Sequence, residues 1–315
     1  MWWYLWRAIR VRRYPSGLVV GGRGQNHACH QFRTAAAGPA PLEFIYVGDA
    51  QNDIFSMWSH LIRAGYSEAP RARFILHAGD LANRGVVDSE WGEWHAAAGW
   101  INRSVFNVPT PGNHEYPAGP DKVRRLTPHW RKQFTLPTNG IPGLEETNYW
   151  FDIQGVRIVS LNSNEKQNEQ TQWLDTVLAK DPQPWTILTF HHPILSTAKG
   201  RDNKDLREMW QPVIDKHKVD LVLTGHDHTY GRSNVTGNTV YVVSVSGPKM
   251  YKLEPQKWMQ SSAQDTQLFQ VIRIDGNKLR YESRTARGRL HDAFELTKAK
   301  GKTNQIKNIS VAAAQ

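Results

Sequence analysis

Five short apolar runs punctuate this chain, and each empties into residues able to hold a metal or a proton. Residues 42–47 (LEFIYV) lead to Gly48-Asp49-Ala50-Gln51, and residues 73–78 (RFILHA) to Gly79-Asp80-Leu81-Ala82-Asn83-Arg84. Residues 105–111 lead to Gly112-Asn113-His114-Glu115, residues 185–190 (WTILTF) to His191-His192-Pro193, and residues 219–224 (VDLVLT) to Gly225-His226-Asp227-His228. Runs this short and this rich in β-branched residues read as buried strands. Between them, helical spacing predicts helices from the Asn52-Asp53 cap to about residue 64 and over 87–101, 127–134, 169–179 and 205–217, with Trp173, Leu174 and Val177 as the core stripe of the fourth. Strand alternating with helix predicts a layered α/β domain, whose ligands bind where the carboxyl ends of the strands meet.

Further strands are expected at 148–153 and 156–162, at 239–245, and in an alternating set at 267–274, 278–283 and 290–296. That places one domain over 42–297. Residues 1–41 hold six Arg and no Asp or Glu, and end in an Ala-, Gly- and Pro-rich stretch. They read as a basic N-terminal extension, either disordered or a poor targeting segment. Residues 298–315 read as a polar basic tail without fixed structure.

The 315 residues carry a net charge of +10, but the six Arg of the extension leave about +4 for the rest (10 − 6), too little to argue for a dedicated nucleic-acid face. No run approaches the roughly 20 apolar residues of a membrane-spanning helix. Cys29 is the one cysteine, which excludes an intrachain disulfide and a thiolate metal cluster.

The five strand ends together offer Asp49, Gln51, Asp80, Asn83, Asn113, His114, His191, His192, His226 and His228. Oxygen and nitrogen donors without sulfur suit a pair of divalent ions such as Mn, Fe or Zn. Asn113 offers a neutral oxygen, and His114 beside it an imidazole, a side chain suited to moving a proton. His226 and His228 can both reach inward from one turn if Asp227 points away. A lone Gly-Asn-His turn is as often an ordinary surface turn as a site, and a lone His pair is more often structural; five converging ends carry the weight.

The order Gly-Asp-x-Gln, Gly-Asp-x-x-Asn-Arg, Gly-Asn-His-Glu, His-His-Pro, Gly-His-Asp-His resembles the calcineurin-like metallophosphoesterases, dinuclear-metal phosphoester hydrolases. Residues 225–233 (GHDHTYGRS) resemble in particular the purple acid phosphatase branch. The resemblance implies a four-layer αββα architecture, a β-sandwich flanked by helices. It implies that Asp80 bridges two metals, that Asp49 and His228 complete one shell, and that Asn113, His191 and His226 hold the other ion. A metal-bound hydroxide would attack phosphorus, and His114 would assist the leaving oxygen.

Two departures stand out. The family commonly has Asp-x-His where this chain has Asp49-Ala50-Gln51, so Gln51 either ligates through its carbonyl oxygen or yields to water. Purple acid phosphatases carry Tyr where this chain has Asn83, so nothing favours ferric iron. Asn83, His192, Arg201, Asn203 and Tyr230 are candidates for touching substrate or for supporting the ligands from behind. The basic residues Arg124, Arg125, His129 and Arg131 of the long 116–147 connection are read as a solvated helix face, and Glu115 as support for its loop. A phosphorylated small molecule is the expected partner, with monoesters favoured; a phosphodiesterase or nuclease on the same metals and a non-catalytic binding module remain alternatives. The resemblance alone points to an exported location.

Overall fold

Strands and helices fall where the apolar runs and helical spacings predict, with shifts of a few residues at most boundaries. The computed structural model describes residues 9–14, 17–22, 30–32, 34–299 and 301–311. Strands β1 (Ile9–Tyr14), β2 (Gly17–Gly22) and β3 (His30–Phe32) form a small antiparallel sheet, where the sequence led us to expect no regular structure. The remainder of the 1–33 stretch lies outside the described residues.

In the next part of the chain lie β4 (Leu42–Val47), α1 (Ser59–Glu68), β5 (Phe74–His77), α2 (Asp88–Ala98), β6 (Phe106–Pro109), α3 (Trp130–Gln133), β7 (Tyr149–Ile153), β8 (Val156–Ser160) and α4 (Gln167–Ala179). They are followed by β9 (Trp185–Thr189), α5 (Lys204–Lys216), β10 (Leu221–Thr224), β11 (Tyr230–Ser233), β12 (Val240–Val243) and β13 (Met259–Ala263). The last four strands are β14 (Leu268–Asp275), β15 (Lys278–Thr285), β16 (Leu290–Thr297) and β17 (Gln305–Asn308). Two seven-stranded sheets result, one in the order β13-β11-β12-β10-β9-β8-β7 and the other β17-β16-β15-β14-β4-β5-β6.

The parallel strands have both faces covered, as their unbroken apolar character demands. Phe44 and Tyr46 of β4 point between the sheets, with Leu76, Ile158, Ile187, Leu223 and Val242. Ile45 and Val47 point the other way, against Trp58, Leu61, Trp91 and Trp94 of the first helical layer. Leu188 and Val222 likewise face Leu174, Trp210 and Ile214 of α4 and α5. Helix, sheet, sheet, helix is the four-layer arrangement expected. Among the described residues no helix is long and apolar enough to cross a membrane.

Three local expectations need correction. Asp53 does not cap its helix through its side chain; it takes a left-handed conformation (φ 44°), and its carbonyl accepts the Met57 N–H at 2.8 Å to open a π-helical turn. Residues 127–134 yield only the single turn α3, because the segment is held instead by side chains reaching across, such as the Thr127 hydroxyl donating to Gly85 O at 2.7 Å. The C-terminal stretch is not structureless: β17 pairs antiparallel with β16, and Asn304 is buried with its amide on Asp220 Oδ1 at 2.7 Å.

Candidate metal centre

Strands β4, β5 and β6 run parallel in one sheet, and β9 and β10 run parallel in the other, so all five polar ends emerge on one edge of the sandwich. The ends are pressed together. A Cβ on Gly225 would overlap Asp49 Oδ2 and lie 2.8 Å from Ala78 O, so only glycine lets the two sheets close at this point. Asp49, Asp80, His226 and His228 all adopt left-handed backbone conformations, with φ of 50°, 52°, 74° and 49°. Such residues cost roughly 1–3 kcal/mol each and persist where the surroundings over-determine them. Here the Asp49 N–H donates to Gly79 O at 3.1 Å and the Gly225 N–H to His191 O at 3.1 Å, tying motif to motif.

Glu115 supplies much of the remaining restraint. Fully buried, its carboxylate accepts from the N–H groups of Asp80 (3.0 Å), Leu81 (3.0 Å), Ala82 (3.4 Å) and Gly112 (2.8 Å). It thus clamps the second motif to the third, the supporting role expected of it. Burial, together with the nearby Asp80, pushes its carboxyl up to about 7.

Two groups of side chains converge with donor atoms within 4.8 Å of one another: Asp49, Asp80 and His228, and His191, His192 and His226. Asp80 joins them. Its Oδ2 lies 3.2 Å from His191 Nε2, and its Oδ1 accepts the His114 N–H at 2.9 Å. Asn113 Oδ1 is 3.1 Å from His191 Nε2, which places the carboxamide at the second group. The imidazoles are aimed from behind: His191 Nδ1 donates to Ala78 O (2.8 Å) and His228 Nδ1 to Lys249 O (2.8 Å), leaving both Nε2 atoms facing inward.

The electrostatics suit a cation. Asp49 and Asp80 are buried with no Arg or Lys within ion-pair distance among the described residues, a costly arrangement unless positive charge joins them. Burial raises Asp49 well above the usual carboxylate range; for Asp80 it is outweighed by His191 and His114, which hold the carboxyl low. His191 responds in kind: burial opposes its charge, yet Asp80 and Asp49 lift it to about 9. Burial, with His191 close by, holds His192 down to about 3. For His228, burial lowers the imidazole to about 4. Gln51 is fully buried; its Nε2 faces Asp80 Oδ2 at 3.1 Å and His228 Nε2 at 2.9 Å, while Oε1 has no partner. Turning the amide over would aim the carbonyl at the same space, where it could ligate an ion. The residues present fit divalent metals.

The other candidates divide. His114 Nδ1 donates to the Asn83 carbonyl at 2.5 Å, and its Nε2 stands 3.9 Å from Asp80 Oδ2, beside the cluster. Asn83 therefore contributes through its backbone. His192, expected to touch substrate or support the site, also belongs to the second histidine group, with Nδ1 against Ser163 Oγ at 2.8 Å. Arg201 donates to His226 O at 2.9 Å and approaches buried Asp227 at 3.5 Å, so it flanks the site. Asn203 binds Pro193 O (2.7 Å) and braces the loop after β9.

Tyr230 is placed elsewhere. It is fully buried between the sheets, with its hydroxyl on Asp292 Oδ2 at 2.7 Å, so a substrate contact for it is corrected to a core role. The basic residues of the long connection also behave differently from a helix face. Arg124 donates to Tyr116 O (2.9 Å) and Asn113 O (3.3 Å), close to the site, while Arg125 pairs with Asp121 (2.6 Å). The sequence reading missed Lys249 and Tyr251 altogether; the Tyr251 ring centroid lies 4.6 Å from that of His228. No local motif marks them, because the chain returns to the site there after strand β12 has ended.

The family model described as calcineurin-like phosphoesterase matches residues 42–230, well over half of the chain and all five strand ends. The chain belongs to that family. The chain is 28% identical over 240 residues to an uncharacterized protein of Mycobacterium tuberculosis, covering 64% of this chain and 45% of that one. It is 27% identical over 194 residues to the phosphoenolpyruvate phosphatase of Allium cepa, covering 55% and 39%. In fold it is similar to a purple acid phosphatase from yellow lupin (Lupinus luteus) seeds, with a TM-score of 0.76, 19% identity, and coverage of 90% of this chain and 59% of that one. By these likenesses the chain is similar to purple acid phosphatases in sequence and in fold. It spans about half the length of the curated relatives it matches.

Proposed function

We propose that this phosphoesterase hydrolyses phosphate monoesters with two divalent metal ions. Asp49, Asp80 and His228, with Gln51, would hold one ion; Asp80, Asn113, His191 and His226 would hold the other. The observation that carries the reading is the position of Asp80, whose carboxylate belongs to one group of ligands and reaches within 3.2 Å of the other. Ions bound there would supply a water of lowered pKa and neutralise charge on the phosphoryl oxygens.

The chain's own residues do the rest. The Asn83 carbonyl fixes the His114 ring by taking its Nδ1 proton in a hydrogen bond, so a second proton, on Nε2, is the one available to a departing oxygen at the cluster. Ser163 holds His192 in a similar way, accepting the His192 N–H at 3.1 Å while its hydroxyl meets Nδ1. That leaves Nε2 of His192 for a phosphoryl oxygen or an ion.

A panel of para-nitrophenyl phosphate, its bis-ester and single-stranded DNA, each with Mn or Zn added, tests the reading. We expect turnover of the monoester to exceed the others. Preference for the bis-ester or DNA would instead assign a phosphodiesterase or nuclease, and inert behaviour toward all three a binding module.

A further inference from the structure

A second part of the molecule builds this site without belonging to any of the five motifs. The segment 246–254 runs against the cluster and is bonded to the first and fifth motifs and to the loop after the fourth. The Ser246 N–H donates to Gly48 O (2.7 Å) and the Gly247 N–H to Asp49 O (2.8 Å), at the first motif. The Tyr251 N–H donates to His228 O (3.2 Å), and Lys249 O accepts from His228 Nδ1, at the fifth. The Lys199 N–H donates to Lys252 O (2.8 Å) and the Glu254 N–H to Thr197 O (2.8 Å), in the loop that follows the fourth. The contact is close enough that a Cβ on Gly247 would collide with the backbone oxygens of Asp49, Ala50 and Gln51. The strap is thus fixed relative to the cluster, and so are the side chains it presents.

Those side chains are an aromatic plate flanked by two cations. Tyr251 is half-buried beside His228. The Arg201 guanidinium lies over its ring at 4.6 Å, and the Lys249 ammonium at 5.5 Å. Stacking on the ring holds both charges near the cluster; Arg201 uses Nη1 on His226 O (2.9 Å), and its Nη2 and Nε remain for a ligand. Among the described residues Lys249 has no carboxylate within ion-pair distance, and the one acid near Arg201, Asp227, is already shared with the N–H groups of Thr197 (2.6 Å) and Ala198 (3.3 Å). A phosphoryl group on the metals would have its charge met there; Lys249 and Arg201 are two further cations beside the cluster, next to His228 and His226.

We propose that Lys249 and Arg201, held on Tyr251, select phosphoesters whose leaving group carries negative charge of its own, a carboxylate or a second phosphate. This rests on the monoester reading above. A cation fixed beside a reacting ester distinguishes a charged leaving group from a neutral one, whereas general attraction of anions would favour both.

The test uses the full metal-loaded chain and matched pairs: 4-carboxyphenyl phosphate against phenyl phosphate for the carboxylate, and propane-1,3-diol bisphosphate against propyl phosphate for the second phosphate. The wild-type protein should prefer the charged member of at least one pair by about 10-fold in kcat/KM, the scale of one hydrogen bond to a charged group. Lys249→Met should remove most of that preference, Lys249→Arg should restore part of it, and metal content should not change, because the bond to His228 is made by the Lys249 backbone. Calorimetric binding of 3-phosphonopropionate against propylphosphonate gives a reading independent of turnover and should lose its difference in the same variant. No preference in the wild type, or equal losses on both members of each pair, overturns the proposal. Failure to hydrolyse any member would sink the monoester reading instead, and the calorimetric pair would still decide recognition.

Discussion

His114 and Asp80 sit side by side yet would answer to different parts of the proposed mechanism. His114 touches the cluster only from its edge, Nε2 standing 3.9 Å from Asp80, and its orientation is set by a backbone carbonyl. Its removal should therefore spare the ligands. His114→Ala is expected to keep its metal while losing about 100-fold to 10,000-fold in rate, the range for losing a general acid or base. Metal analysis alongside turnover of para-nitrophenyl phosphate checks both halves, and near-normal turnover would remove His114 from the chemistry. At this scale most of the site was legible beforehand, because each donor directly follows an apolar run. What was hidden was direction. Nothing in Gly-His-Asp-His-Thr-Tyr-Gly-Arg-Ser distinguishes His228, which faces the cluster, from Tyr230, which faces Asp292 in the core. The orphaned carbonyl of Gln51 likewise becomes visible only when its neighbours are in place.

At the scale of elements, the loops matter as much as the strands they leave. Glu115 gathers four backbone N–H groups from two loops. Each buried donor left unpaired costs about 1–3 kcal/mol. Glu115→Ala should accordingly lower the unfolding midpoint and also weaken Mn or Zn binding, although Glu115 is not itself a ligand; thermal unfolding with and without metal would register both effects. Retention of full metal affinity would mean that the second and third motifs hold their shape unaided. Strand β4 was readable to the residue, since a buried apolar run bounded by glycine has one natural length. Strands β11, β13 and β17 were not. Residues such as Gly231, Ser261 and Lys307 show no alternation that a chain position alone could reveal, and they pair through backbone hydrogen bonds to neighbours distant in sequence.

For the molecule as a whole, the question is what keeps two sheets in register so that five strand ends meet. Apolar packing between them is non-directional. A polar clamp inside that layer supplies direction: Arg232 of β11 grips Asp292 of β16 with Nε at 2.6 Å and Nη2 at 2.9 Å, and Tyr230 joins them. Both charged side chains are almost fully buried. Burial works against the charge on Asp292, and Arg232 more than offsets it, holding the carboxyl below its usual range. Removing one partner strands the other, at a cost of about 3–5 kcal/mol, whereas replacing both with apolar residues is often tolerated. Arg232→Met should therefore destabilise strongly in urea unfolding, and adding Asp292→Leu should recover most of the loss. A small effect of the single change would assign sheet register to packing alone. Arg232 lies in the run that resembles the purple acid phosphatases, yet its side chain meets Asp292 between the sheets and not the cluster.

The most direct measurement is a metal titration of the chelator-stripped chain, following para-nitrophenyl phosphate hydrolysis as Mn or Zn is added in stoichiometric steps. Two ions joined by Asp80 would give no turnover at the start, a rise that saturates near two equivalents per chain, and loss of the second equivalent when Asp80 is replaced by Asn. Turnover that persists without metal, or saturates at one equivalent with Asp80→Asn indistinguishable from wild type, would contradict that arrangement.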